Sequence, residues 1–314
     1  MTLARAETSS PPTANPADGR FGLYELMLYA ITVFAWSTSW FAVRQQLGPV
    51  AAEVSVTWRF VLSAALMWAW VLIARLPIRF GFASHLRFAA LGLVMFSCNF
   101  LMMYYASAYL PSGLLSVVFA LSSVFNLLIS RIFVGTQVKP QIALGGCVGI
   151  AGVGLMFWPQ IAGAQLDLGA LKGLGFALAG TLFFSSGNLF SARLQRDQVP
   201  VMSANAWGML YGALILAFLA WMRGAIFTID LSPRYLGSLV YLAVTSSGIA
   251  YWSYLTLLGR IGSARAGYAA VMFPVFALLI STVFENYHWT LAALTGIILA
   301  LAGNVLVLSA GSRK

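Results

Sequence analysis

The sequence predicts an all-α integral membrane protein: ten transmembrane helices as two five-helix repeats of inverted topology, with both termini cytoplasmic. Three observations predict it. The composition is 61% hydrophobic and only 8% charged, with a mean hydropathy of +0.87, and a water-facing surface needs many more charges than that. Ten long apolar runs separated by short polar breaks fill nearly the whole chain, each close to the roughly 20 residues that cross the hydrocarbon core as a helix. The later half of the chain then repeats the earlier half.

In order, the runs fall near 23–43, 54–74, 86–109, 111–134 and 141–158, then 169–191, 201–222, 235–257, 263–284 and 290–309. Very short turns, around Pro111 and between Gly259 and Gly262, join two of the helical hairpins. In lipid a backbone must bond to itself, as helices or as a closed barrel; runs this long exclude the barrel, and their number excludes a single-pass anchor. The chain therefore divides into a tail over 1–22, a first repeat over 23–158 and a second over 169–309. The tail, with Thr8-Ser9-Ser10-Pro11-Pro12, has no apolar core and reads as disordered and cytoplasmic. The first span serves as its own insertion signal.

Basic residues set the orientation. Of 18 Lys and Arg, 13 fall on the side shared by the termini, among them Arg75, Arg79, Arg131 and Lys139. The other side is assigned Arg44, Arg59, Lys172, Arg223 and Arg234. Cytoplasmic loops retain positive charge, so both termini are cytoplasmic. The net charge of +10 is then topological. It sits in pairs at helix ends, which argues against a nucleic-acid surface. Cys98 and Cys147 fall inside apolar runs and read as buried thiols, with no second metal ligand beside either. No metal and no cofactor is expected.

The repeat is explicit. Ser112–Leu155 aligns with Ser263–Leu306 without a gap, matching Val124-Phe125 to Val275-Phe276 and Leu127-Leu128-Ile129-Ser130 to Leu278-Leu279-Ile280-Ser281. Thr32, Phe34, Ser37, Phe41 and Arg44 match Thr181, Phe183, Ser186, Phe190 and Arg193. Five helices is an odd number, so the second repeat enters the membrane upside down. The charges agree: Arg131 and Lys139 pair with Thr282 and Thr290, and Arg260 and Arg265 pair with Tyr109 and Leu114. Inverted repeats put a substrate site near the midplane between the halves, where rocking gives alternating access, so this architecture implies transport.

Trp36-Ser37-Thr38-Ser39-Trp40-Phe41-Ala42-Val43-Arg44 resembles the first-helix motif of the drug/metabolite transporter superfamily, in its ten-helix EamA-type branch. Arg59-Phe60 resembles the second-helix Arg-Phe, Tyr104-Tyr105-Ala106 through Ser112-Gly113 the third-to-fourth hairpin, and Gly145 to Leu155 the fifth helix. The likeness runs over the whole chain after about residue 22. Two positions depart from it: the fourth-helix Pro is Ser123, although its repeat partner Pro274 keeps it, and the usual Gly-Glu reads Gly135-Thr136. Within the superfamily the aromatic-rich spans are most similar to bacterial exporters of aromatic amino acids and related metabolites, which implies a multi-pass protein of the bacterial inner membrane.

All eight acidic residues fall outside the middle of a run, with Glu25, Glu53 and Glu285 near helix ends and expected at the interface. A proton-coupled antiporter for cations usually keeps a carboxylate in the membrane, so transport down the substrate's own gradient is expected. No basic residue is placed mid-span either, which disfavours a phosphate-ester carrier. Enzyme chemistry lacks its parts: no Gly-Xaa-Ser-Xaa-Gly, no His-Glu-Xaa-Xaa-His and no phosphate-binding Gly-rich Lys-Ser/Thr loop occurs.

Polar and aromatic side chains inside the runs are the candidate substrate-binding residues. Trp36 and Ser39 share a face of the first helix, and their repeat partners Ser185 and Asn188 share one of the sixth. Asn99 in the third helix, Trp207 in the seventh, Ser246 and Tyr251 in the eighth, and Tyr268 and Met272 in the ninth complete the set. Rings would stack on an apolar substrate while hydroxyls and amides take its polar groups. Trp36, Asn188, Trp207 and Tyr268 are expected to meet in one cavity.

Pro274 and Gly267 are the expected hinge of the ninth helix. Gly145, Gly149 and Gly152, and Gly296, Ala300 and Gly303, recur at close-packing spacing on the fifth and tenth helices. Those two read as scaffold, where a homodimer contact is also open. The partners expected are a small-molecule substrate and membrane lipid. The reading is an exporter of small amphipathic metabolites, aromatic or other neutral amino acids first. Efflux of drug-like or cationic compounds is the alternative within transporters, and a non-transporting receptor or scaffold is the alternative outside them.

Overall fold

The computed structural model describes residues 22–135, 140–159, 167–254, 256–257, 260 and 269–311. The expected tail up to Phe21, the turn residues Gly259, Ile261 and Gly262, and the candidates Gly267 and Tyr268 lie outside the described residues. Among the described residues every apolar run is helical. In chain order the helices are α1 (Leu23–Gln45), α2 (Ala52–Ile73), α3 (Phe82–Ser107), α4 (Ser112–Phe133) and α5 (Pro140–Met156). There follow α6 (Leu168–Arg196), α7 (Val201–Met222), α8, which starts as Pro233–Tyr241 and runs on through Leu242–Ile249 into 250–254, α9 (Ala269–Phe284) and α10 (Leu291–Gly311).

Among the described residues six helices, α1 to α4, α6 and α7, are long and apolar enough to cross a membrane. Pro140–Met156, Val271–Phe284 and Leu291–Val307 are shorter apolar helices. The outside of the bundle is strongly apolar, with Ile132, Phe133, Trp221, Val283 and Leu291 exposed, as a lipid-facing surface requires. Hydroxyls inside the helices bond back to their own backbone: Thr32 to Leu28 O at 2.8 Å, Ser37 to Val33 O at 2.6 Å, Thr181 to Ala177 O at 2.7 Å. Several polar ends are capped from the sequence: Asp167 accepts from the Ala170 amide at 2.9 Å, Thr290 from that of Ala293 at 3.1 Å, and Ser232 precedes Pro233 at the start of α8. Gly135, in the left-handed region at φ 75°, closes α4.

Three irregularities matter to function. α3 carries a π-helical turn at Gly92–Cys98, and α8 carries another at Leu242–Ile249, in the corresponding helix of the later half. α4 breaks at Leu121, between Ser112–Ala120 and Ser122–Val134. The break forms although the position that resembles the family's proline is Ser123, so the proline is not its cause. Instead the freed backbone finds side chains, with Ser185 donating to Ser122 O at 3.3 Å and Ser123 to Ala120 O at 3.2 Å.

α5 and α10 pack along each other. A Cβ on Gly152 would meet Ala300 N at 2.4 Å and Gly296 O at 2.5 Å, and one on Gly303 would meet Gly149 N at 2.4 Å. The glycine faces are thus filled by one another, and a contact between two copies of the chain would have to use other faces. The cysteines depart from expectation. Cys98 is half-buried and Cys147 lies on the exposed side of α5, because the opposite face of that helix is the one consumed by α10.

Candidate functional site

Four α1 residues at helical spacing, Trp36, Ser39, Trp40 and Val43, line one side of a cavity inside the bundle. α2 adds Arg59, α3 adds Asn99, Phe100 and Met103, and α4 adds Phe119. From the later half come Phe184 of α6, Ser246 and Tyr251 of α8, and Phe273 of α9. The cavity holds about 590 Å³ of empty space, part of it open to the surroundings. Both halves supply its walls, and α5 and α10 supply none of them.

The walls are a linked set of rings. Trp36 lies 4.9 Å from Tyr254, 5.8 Å edge-on from Tyr251 and 6.3 Å edge-on from Phe273. Phe119 bridges Trp40 at 5.2 Å, Phe184 at 4.6 Å and Phe273 at 6.2 Å. Offset and edge-to-face pairs of this kind hold each ring in place. A π turn changes backbone pairing from four residues to five, and within that of α8 the Ser246 carbonyl accepts from Trp36 Nε1 at 3.3 Å. The second π turn ends at Cys98, immediately before the cavity residue Asn99.

Arg59 is the one charged side chain among the cavity residues, and it is 2% exposed. Its Nη2 donates to the Ser246 hydroxyl at 3.2 Å and the Ser247 hydroxyl at 3.4 Å. Its guanidinium carbon stands 4.4 Å from the centre of the Phe100 ring. Among the described residues no carboxylate lies within ion-pair distance of it, and its Nε and Nη1 have no hydrogen-bond partner. Two other polar atoms of the cavity residues are also without a partner: Trp40 Nε1 and Asn99 Oδ1. Asn99 uses only its amide nitrogen, toward Met95 O at 3.2 Å.

Ion pairs tie the halves together at both ends of the bundle. At one end Arg44 stands 3.7 Å from Glu285, whose other oxygen accepts from the Ser112 amide and hydroxyl, both at 2.9 Å. At the same end Arg223 donates to Glu53 at 2.7 Å, and Tyr105 bonds to Glu53 as well. At the opposite end Arg260 donates to Glu25 at 2.6 Å, and Arg87 pairs with Asp197.

Of the residues singled out from sequence, Trp36, Ser39, Asn99, Ser246 and Tyr251 lie together in the cavity wall. The others do not. Ser185 is buried against Ser122. Asn188 donates to Asn126 Oδ1 at 3.1 Å, so its amide is spent between α6 and α4. Trp207 belongs to a separate aromatic group with Trp68, His85, Phe88 and Tyr211, its indole donating to Ile78 O at 3.2 Å. Met272 is 38% exposed on α9, beside the inward-facing Phe273, while Pro274 is buried inside that helix. The expected meeting of Trp36, Asn188 and Trp207 therefore does not occur.

Arg59 is the main residue the sequence reading misplaced. Counted among the charges of the side opposite the termini, it stands two turns inside α2, about 10 Å below the helix start at 1.5 Å per residue. The signal was present, since apolar residues continue on both sides of it. The three end carboxylates also differ from expectation: Glu25, Glu53 and Glu285 are buried, each with an arginine partner, where interfacial exposure was expected.

A bundle of apolar helices around a cavity walled by both halves defines a membrane carrier. The EamA-like transporter family matches residues 23–158 and again 171–309, and the chain belongs to that family, within the drug/metabolite transporter superfamily. Its relatives include a protein of Bacillus subtilis named uncharacterized transporter YoaV, 21% identical over 90% of this chain and 96% of its own. Another is the Escherichia coli protein named uncharacterized inner membrane transporter YedA, 27% identical over 81% of this chain and 80% of its own. A solved crystal structure has the same fold, with a TM-score of 0.66 at 19% identity over 92% of this chain and 98% of that one. The protein is a multi-pass membrane transporter and not an enzyme.

Proposed function

We propose that this transporter exports small amphipathic metabolites, aromatic or other neutral amino acids first, by alternating access across a bacterial cytoplasmic membrane. It does so as ten transmembrane helices in two inverted five-helix repeats with both termini cytoplasmic. The observation that carries the reading is the cavity itself: rings on most sides, few polar groups, walls from both halves. The paired family match, the π turns in corresponding helices and the reciprocal packing of α5 and α10 support the repeat.

Arg59 weighs against the runner-up, since a buried cation in the wall repels a cationic drug. Among the described residues no carboxylate lines the cavity, which supports transport without obligatory proton coupling. Counterflow in proteoliposomes with radiolabelled neutral amino acids and organic cations tests the substrate class. Uptake of the cations and not of the amino acids would reverse the order of the two readings. Strongly accumulative uptake under an imposed pH gradient would overturn the absence of proton coupling.

A further inference from the structure

A buried polar group without a partner calls for an explanation, and here four such atoms belong to cavity residues. Three are donors, Arg59 Nε, Arg59 Nη1 and Trp40 Nε1, and one is an acceptor, Asn99 Oδ1. A guanidinium has five N–H groups; the two serines engage Nη2 alone, leaving those on Nε and Nη1 free. Among the described residues the positive charge has no counter-charge in a chamber walled mainly by rings, and such a charge is costly until an anion joins it. The excess of donors over acceptors has the same sign.

We propose that Arg59 is the anion subsite of this cavity. A carboxylate of the transported molecule accepts from its unpartnered Nη1, and Asn99 Oδ1 accepts from an N–H of that same molecule. The proposal rests on the reading of the chain as an amino-acid exporter and narrows it to amphipathic monocarboxylates bearing an N–H donor. One guanidinium offsets one carboxylate. A phosphate ester carries more charge and more acceptor oxygens than this chamber has donors to meet. Phe100, stacked at 4.4 Å under the guanidinium, and the two serines hold the subsite in place when it is empty.

The test is thermal unfolding of the full-length protein in detergent with five probes: L-phenylalanine, hydrocinnamate, phenethylamine, L-phenylalaninamide and inorganic phosphate. L-phenylalanine and hydrocinnamate are expected to stabilise the wild type, while the amine, the amide and phosphate are not. In Arg59→Gln the affinity for hydrocinnamate falls at least about tenfold, equivalent to about 1.4 kcal/mol. In Asn99→Leu the affinity for L-phenylalanine falls several-fold and that for hydrocinnamate holds. The wild-type panel needs no variant to fold, so it stands if Arg59→Gln does not. Stabilisation by the amide or amine equal to that by the carboxylates overturns the subsite and spares the amino-acid reading. Equal stabilisation by phosphate overturns the assignment to carboxylates. Stabilisation by hydrocinnamate without L-phenylalanine upholds the anion subsite and overturns the amino-acid reading. No stabilisation by any probe overturns both.

Discussion

Trp36 touches three rings, and its indole hydrogen ends on the carbonyl of Ser246, inside the π turn of α8. Truncating it to Ala removes ring contacts worth about 0.5–1.5 kcal/mol beyond area burial. The expected result is a several-fold to tenfold loss of transport affinity, measured as KM in proteoliposomes, with folding little changed. Asn188→Ala behaves in the opposite way. It leaves Asn126 with one hydrogen bond fewer, at a cost of about 0.5–1.5 kcal/mol of stability. Thermal unfolding should register it while KM stays put. Helical spacing made Trp36 and Ser39 readable as neighbours on one face, and amide chemistry made Asn99 a candidate. The same reasoning fails for Asn188 and Trp207, because periodicity tells which residues share a face and not which helix that face meets. Arg59 differs for another reason: it lies inside the run at 54–74 yet counts among the charges of one membrane side, whereas α2 begins almost two turns before it.

At the scale of the helix, α5 and α10 approach backbone to backbone at Gly152, Gly296 and Gly303. Gly152→Val must push the two apart, since even its Cβ would lie 2.4 Å from Ala300 N. Overpacking of this kind costs about 1–3 kcal/mol, read as a lower unfolding temperature in detergent. Leu155→Ala, on the same helix and away from the cavity, should leave KM unchanged. The small-residue spacing announced this contact, as apolar length announced the helices. The break of α4 at Leu121 and the two π turns were not readable, because backbone irregularity at these sites is fixed by partners such as Ser185 and Gly212 on other helices. In α9 Pro274 removes a backbone hydrogen bond next to the cavity residue Phe273. Pro274→Ala restores the donor, and as a hinge position it should lower turnover with binding affinity unchanged, by initial-rate uptake against equilibrium binding. Equal turnover would make the proline a static kink.

The whole molecule has cross-half ion pairs at both ends of the cavity, Arg44 with Glu285 and Arg223 with Glu53 at one, Arg260 with Glu25 and Arg87 with Asp197 at the other. Alternating access requires that the two sets are not kept and broken together. Glu285→Gln weakens the first set, so a cysteine at Ser39, in protein lacking Cys98 and Cys147, should react faster with an impermeant thiol reagent added from that side. Unchanged labelling would remove these pairs from the gating account. The orientation prediction stands beside it: a reporter fused after Lys314 should be active only in the cytoplasm. The most direct test of the central claim is counterflow. Proteoliposomes of the purified protein, preloaded with unlabelled L-phenylalanine, should take up radiolabelled L-phenylalanine transiently above equilibrium, and Trp36→Ala should need several-fold more substrate for the same rate. Uptake no faster than in protein-free liposomes, for every neutral amino acid tried, would contradict it.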